Sequence, residues 1–187
     1  MNIESKKVIY LEKLYDKIRK YCMMNFIYKN FFADGAYEPI PFKDTKVLFI
    51  GDSITQGGGS KRTGCAYVNV TKRALNYEVL NWGIGGYPFD EKIVQFSPFQ
   101  PHKIVVAMGT NNRFYAYDKN EKDIGAFFEK LNATYSHIPV LVLLPPWDGS
   151  VGEEVCKNYR AIKVLIETLY QLSIQLKFRN RNKTEVY

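Results

Sequence analysis

Hydrophobic positions along this chain recur with two different periods, and the change from one to the other sets out its organisation. Over the first 32 residues Val8, Leu11, Leu14, Tyr15, Ile18 and Cys22 fall three and four apart, with lysines between them. That is the spacing of an amphipathic helix, and the greasier stretch 21–32 continues it. Such a helix lies on a membrane surface or a partner, or packs on the protein's own surface; both readings stay open. Residues 33–43, with Asp34, Gly35, Pro39 and Pro41, read as a connector.

From residue 44 the period changes. Short, nearly continuous apolar runs at 46–50 (KVLFI), 78–82 (EVLNW), 103–108 (KIVVAM) and 140–144 (VLVLL) predict buried strands. Helical patterns follow at about 66–76, 121–135 and 152–173, the last with Val155, Tyr159, Ile162, Leu165, Ile166, Leu169 and Leu172 on one stripe. The helix over 121–135 is expected to open on Asp118 as N-cap, with Glu121 at N3. Strands alternating with helices of this length imply βαβ units, a parallel sheet and right-handed crossovers. Beyond the last helix, after a polar and basic stretch, Thr184-Glu-Val-Tyr187 reads as the opening of a fifth strand. The expected organisation is a helical extension and connector over 1–43 and an α/β domain over 44–187.

Composition narrows the class without changing this outline. With 187 residues, 46% apolar and 24% charged, the chain suits one globular domain with a full core. The net charge of +7 comes largely from Lys6, Lys7, Lys13, Lys17, Arg19 and Lys20 near the start and Lys177, Arg179, Arg181 and Lys183 near the end. Terminal clusters of this kind are read as solvated faces and tails, so no nucleic-acid partner is expected. Cys22, Cys65 and Cys156 are widely spaced, with no C-x-x-C and no Cys/His cluster, which argues for reduced thiols and against zinc. The first twenty residues contain no continuous apolar core of a signal peptide, and no run approaches the ~18 apolar residues of a membrane span. The expected location is the cytoplasm.

In a parallel sheet the loops after the strands gather at one edge, and ligands bind there. Those loops are 51–60, 83–88, 109–113 and 145–149, all rich in glycine or small polar residues. Two phosphate-binding patterns fail: Thr55 and Ser60 stand where a P-loop ending in Lys61 needs glycines, and Pro88 breaks the dinucleotide pattern that begins at Gly83. Acyl transfer fits better. It needs a nucleophile, which Ser53 at the end of the first strand supplies, and preorganised donors for an oxyanion. The amides of Ser53 and Gly86 and the carboxamide of Asn111 are candidates. Each has a plainer alternative: Ser53 as a helix N-cap, Gly86 in a turn, Asn111 as a cap.

Taken together, Gly51-Asp52-Ser53-Ile54-Thr55, Asn81-Trp-Gly-Ile-Gly-Gly86 and Gly109-Thr110-Asn111-Asn112 resemble the first three sequence blocks of the SGNH/GDSL hydrolase family, in order and on the right strand ends. The resemblance covers about residues 44–173 and leaves the N-terminal helix outside. It implies a three-layer α/β/α sandwich with a flavodoxin-like parallel sheet, and a serine esterase site with Ser53 as nucleophile. The Ser53 and Gly86 amides and the Asn111 side chain would form the oxyanion hole. Asp52, Pro146 and Trp147 would contact substrate, with Pro145 beside them. The implied substrate is a small acyl ester such as an acetylated carbohydrate, with no metal or organic cofactor.

The family's fourth block, Asp-x-x-His, has no counterpart. His102 and His137 are the only histidines, and each lies just before a predicted strand. A six-residue strand is about 20 Å long at ~3.3 Å per residue, which puts both on the edge away from Ser53, out of reach of its proton. The chain is therefore expected to lack the segment that carries the base, either because it is incomplete at its C-terminus or because it is a noncatalytic relative that binds an acylated carbohydrate or a partner. A surface-associated protein using its basic N-terminal helix is a third reading. The sequence leaves acyl specificity and oligomeric state open.

Overall fold

The computed structural model describes residues 42–146 and 152–184. The helix expected over residues 1–32, most of the connector and Trp147 lie outside these. Four strands form, β1 (Lys46–Gly51), β2 (Glu78–Gly83), β3 (Lys103–Ala107) and β4 (Val140–Leu143), each within a residue of its predicted bounds. All neighbours are parallel, in the order β2-β1-β3-β4. This is the flavodoxin-like order. The chain steps from β1 outward to β2 and then crosses to the other side of β1, so the loop leaving β1 lies where the winding reverses.

Helices cover both faces, as strands with few polar positions require. On one face Leu48, Ile50, Ile104 and Val106 pack against Ile124, Phe127, Phe128 and Leu131 of α3 (Tyr117–Thr134) and Ile162, Leu165 and Ile166 of α4 (Glu153–Thr184). On the other, Val47 and Phe49 meet Tyr67 and Val68 of α2 (Tyr67–Ala74). A four-residue helix, α1 (Ser53–Gln56), follows β1 directly.

Two predicted boundaries are corrected. The cap of α3 is Ala116, with no side-chain hydrogen bond, and Asp118 lies in the helix's first turn. A tertiary contact sets this start: buried Asn120 donates from Nδ2 to the carbonyls of Asn112 and Tyr115, which anchors the chain entering the helix. Thr184, expected to open a fifth strand, is the last residue of α4. No Gly or Pro falls between residues 174 and 184, so nothing in that stretch stops a helix whose apolar stripe is already docked.

The core is thickest where Phe89, Phe127 and Phe128 meet edge to face. Phe89 and Phe127 have centroids 5.0 Å apart at 83°, and Phe127 and Phe128 5.3 Å apart at 82°. Phe127 is 0% exposed. Phe127→Ala is expected to lower unfolding stability by about 3–5 kcal/mol, read from urea denaturation; a loss below about 1 kcal/mol would contradict this packing.

Candidate active site

The site begins with how α1 sits on the sheet. Asp52 leaves β1 in an extended conformation and its Oδ1 accepts the Ile54 amide at 3.0 Å. Asp52, not Ser53, is thus the N-cap, and Ser53 is the first residue of the helix. α1 rests on strand ends that carry no Cβ. A Cβ on Gly51 would run into the Thr55 side chain and lie 2.8 Å from the Ala107 carbonyl; one on Gly83 would overlap the backbone nitrogen of Gln56. Asn81 on β2 completes the attachment, donating from Nδ2 to the Thr55 carbonyl at 2.8 Å while its Oδ1 accepts the Gly83 amide at 2.8 Å.

Beneath the helix Thr55, 0% exposed, shares a 2.9 Å hydrogen bond with the Tyr67 hydroxyl. Burial raises the Tyr67 pKa, with the nearby Asp52 charge acting the same way and the Thr55 bond opposing. The phenol therefore remains a neutral hydrogen-bonding group. At the far end Gly57 adopts φ +113°, and the amides of Gly57 and Gly58 both return to the Ser53 carbonyl, at 3.1 and 2.6 Å. The Ser53 carbonyl is thus held by two amides, while the residue is half-buried at the crevice.

The second and third predicted loops meet at the same sheet edge. The Ile84 amide donates to the Gly51 carbonyl at 3.0 Å, which keeps the β2 loop alongside β1. Gly86 sits in the following turn at φ +73° and is exposed. Asn111 opens a 3₁₀ turn after β3 and donates from Nδ2 to the Tyr87 carbonyl at 3.1 Å, one residue from Gly86. Thr110 precedes it as the cap.

Sequence reasoning missed the residue that holds this loop. Asn112 is 0% exposed; its Oδ1 accepts the Phe89 amide at 3.0 Å and its Nδ2 donates to Asn120 Oδ1 at 2.9 Å. The available signal was Asn120 itself, a polar residue whose spacing from Ile124, Phe127 and Leu131 places it on the apolar face of α3. Asn81 was likewise passed over as a strand residue.

On the β3–β4 side of α1 a cavity of about 180 Å³ brings Asp52 and Ile54 together with Met108, Leu143, Pro145 and Pro146. Asp52 and Pro146, both expected to contact substrate, thus line one space. His102 lies at the opposite edge: its amide donates to the Lys46 carbonyl at 2.8 Å and its Nδ1 accepts the Lys46 amide at 3.4 Å. Lys46 is the first residue of β1, so the imidazole is about 16 Å from the strand end that bears Ser53. His137 precedes β4. Among the described residues no group of three or more His, Cys, Asp or Glu could hold a metal ion, and no helix is long and apolar enough to cross a membrane.

Comparison with known proteins agrees with this topology. Residues 49–173 match the GDSL-like lipase/acylhydrolase family. A search of curated proteins finds no match. Among solved structures the chain is similar to AlinE4, an SGNH-hydrolase family esterase, at 20% identity and a TM-score of 0.55 over 68% of this chain and 73% of that one. It is also similar to a G-D-S-L family protein of Desulfitobacterium hafniense DCB-2 at 22% identity and a TM-score of 0.52, over 68% and 73%. A lipase/acylhydrolase of Enterococcus faecalis aligns at 16% identity with a TM-score of 0.54, over 69% of this chain and 72% of that one. At these identities the likeness is one of fold.

Asn111 and Asn112 are adjacent yet differ in what their loss exposes. Asn112→Ala leaves the Phe89 amide and Asn120 Oδ1 unpaired in the core, at about 1–3 kcal/mol for each group. Asn111→Ala, at a half-buried position, is expected to lose well under that. Urea unfolding of the two variants checks the contrast, and equal losses would contradict it.

Proposed function

The chain belongs to the GDSL-like lipase/acylhydrolase family, and on that premise we propose that its α/β domain is a serine ester hydrolase acting on a small acyl ester. Ser53 is the nucleophile. Its Oγ attacks the acyl carbonyl, and the oxyanion that forms is met by the amides of Ser53 and Gly86 and by the Asn111 carboxamide. The intermediate collapses with loss of the ester C–O bond, the departing alcohol taking up the proton lost from Ser53, and water then cleaves the acyl-enzyme to the acid and free Ser53. Asp52 and Pro146 line the space beside the serine, and with Trp147 they are the candidate substrate contacts; an acetylated carbohydrate is the candidate substrate. The observation that carries the reading is the arrangement at one sheet edge. Ser53 is half-buried with its carbonyl tied to the Gly57 and Gly58 amides, and Asn111 is fixed on the Tyr87 carbonyl next to Gly86.

One observation favours a second reading, a noncatalytic module that binds an acylated carbohydrate or a partner in the same crevice. His102 is bonded to Lys46 at the start of β1, and His137 precedes β4, so neither reaches the Ser53 proton. Losing the histidine of a serine triad costs up to about 10⁶ in rate, with about 10³ over water retained by the oxyanion donors and binding.

Incubation with p-nitrophenyl acetate separates the two. Slow acetylation of Ser53 is expected, located by peptide mass spectrometry, with a hydrolysis rate above that of Ser53→Ala. Asn111→Ala should lower the rate by about 10²–10³. Equal rates for the wild-type chain and Ser53→Ala, with no acyl adduct, sink the esterase reading and leave the binding module.

A further inference from the structure

Polar and aromatic side chains that the ester chemistry does not use gather where the β2 and β3 loops meet. Tyr87 follows Gly86, and its hydroxyl donates to Asp90 Oδ2 at 3.3 Å. Burial first, and then the Asp90 charge, raise its pKa, so the phenol stays protonated. Asp90 Oδ1 accepts the Lys92 amide at 2.9 Å, and each carboxylate oxygen keeps a lone pair for a further donor. Across the junction the Lys119 ammonium of α3 stands 4.9 Å from the centre of the Tyr115 ring and donates to Asp123, with N–H groups to spare. Tyr115 is exposed, as are its neighbours Phe114 and Tyr117.

Asparagines tie the two groups together. Asn111 bonds the Tyr87 carbonyl, Asn112 bonds the Phe89 amide between Tyr87 and Asp90, and Asn120, next to Lys119, bonds the Tyr115 carbonyl. The Asp90 charge also acts on the Lys119 ammonium, after the larger effect of its hydrogen bond to Asp123. The result is one lip beside Gly86 and Asn111, and its make-up selects a ligand. Carboxylate and ammonium balance in charge, which favours an uncharged molecule; one accepts hydrogen bonds and the other donates them, which suits hydroxyls that do both. A cationic ligand is disfavoured, because Lys119 already occupies the Tyr115 ring. Rigid aromatic surface takes the C–H face of a saturated ring at little entropic cost. Hydroxyls on a ring with an apolar face describe a sugar.

We propose that the lip formed by Tyr87, Asp90, Tyr115 and Lys119 is the alcohol-side subsite of the crevice, and that the alcohol it takes is a neutral sugar ring. The ring lies against Tyr115, its hydroxyls donate to Asp90, and one accepts from Lys119. The acyl carbonyl on that sugar then falls toward Gly86 and Asn111, which adjoin the lip through Tyr87. The cavity on the β3–β4 side of α1, with its mostly apolar walls, is left to the acyl group. The proposal rests on the esterase reading for the ester bond alone; the sugar contacts hold equally for a noncatalytic module.

Binding is read by ligand-observed NMR in the wild-type chain and in Ser53→Ala, where no turnover interferes. The probes are the monoacetates of methyl β-D-glucopyranoside, with butyl acetate and acetylcholine carrying the same acyl group on an apolar and a cationic alcohol. At least one sugar ester is expected to bind saturably and about fivefold tighter than either comparison ester. Tyr115→Ala should weaken that binding about fivefold and Tyr115→Trp should restore it. Asp90→Asn, which keeps an acceptor for the Lys92 amide, should weaken it about tenfold. Urea unfolding establishes that each variant is folded. Absence of saturable sugar binding, equal binding of acetylcholine or butyl acetate, or undiminished binding by a folded Tyr115→Ala or Asp90→Asn overturns the proposal; so does a loss in Tyr115→Ala that tryptophan does not restore. Acylation of Ser53 by p-nitrophenyl acetate is a separate result. Sugar binding without it supports the lip and removes the esterase reading, and acylation without sugar binding does the opposite.

Discussion

Close approach of α1 to two strand ends is the constraint on which the crevice depends. Gly51 and Gly83 end the adjacent strands β1 and β2, and at each a Cβ would collide with the helix above. Removing two side chains lets a helix of four residues lie on the sheet itself, where it could not persist in isolation. Its stability is tertiary, coming from the buried Thr55–Tyr67 hydrogen bond and from Asn81 gripping the Thr55 carbonyl. What the crevice receives from this is a serine whose position is set by backbone, since Ser53 contributes its carbonyl to two amides and leaves its hydroxyl outside that bonding. A side chain carried on a backbone fixed in this way loses little entropy on adopting one geometry.

The same economy holds the other loops. Ile84 bonds back to Gly51, Asn111 to the Tyr87 carbonyl, and Asn112 to both Phe89 and Asn120. Polar side chains here replace secondary structure, because the chain between β2 and β3 has only a 3₁₀ turn, Glu91–Ile93, to organise it. A fully satisfied buried network specifies one arrangement, and a half-satisfied one costs more than an apolar core. The order in which the loops matter therefore follows burial: Asn112 keeps the β3 loop in place, and Asn111 is then free to face the crevice.

What could be read from the sequence was whatever depends on period and on strand ends. Runs such as KVLFI mark strands because both faces of the sheet are covered, and the glycines that close them mark the edge where loops collect. The placement of Ser53, Gly86 and Asn111 at that edge was legible for that reason. The cap of α3 was misplaced and Ser53 was left with an N-cap alternative, because the decision between Asp118 and Ala116, or between Asp52 and Ser53, turns on geometry that spacing does not encode. The end of α4 was misread because a polar, basic stretch without Gly or Pro looks the same whether it continues a helix or leaves one. Asn81 was illegible as a fastener, since its partner Thr55 is 26 residues away, and of the Asn112 contacts the one to Phe89, 23 residues away, left no local signal, unlike the one to Asn120.

The position of the histidines follows from the geometry of parallel sheets. Every strand of this sheet runs the same way, so a residue that precedes a strand and one that follows a strand are separated by the strand's full length, whichever strands they belong to. His102 precedes β3 and Ser53 follows β1, its neighbour in the sheet, and no side-chain rotation closes a gap of about 16 Å. A group able to reach Ser53 has to stand at the C-terminal edge, where Asp52, with Oδ1 already given to the Ile54 amide, is the charged side chain among the residues lining the cavity.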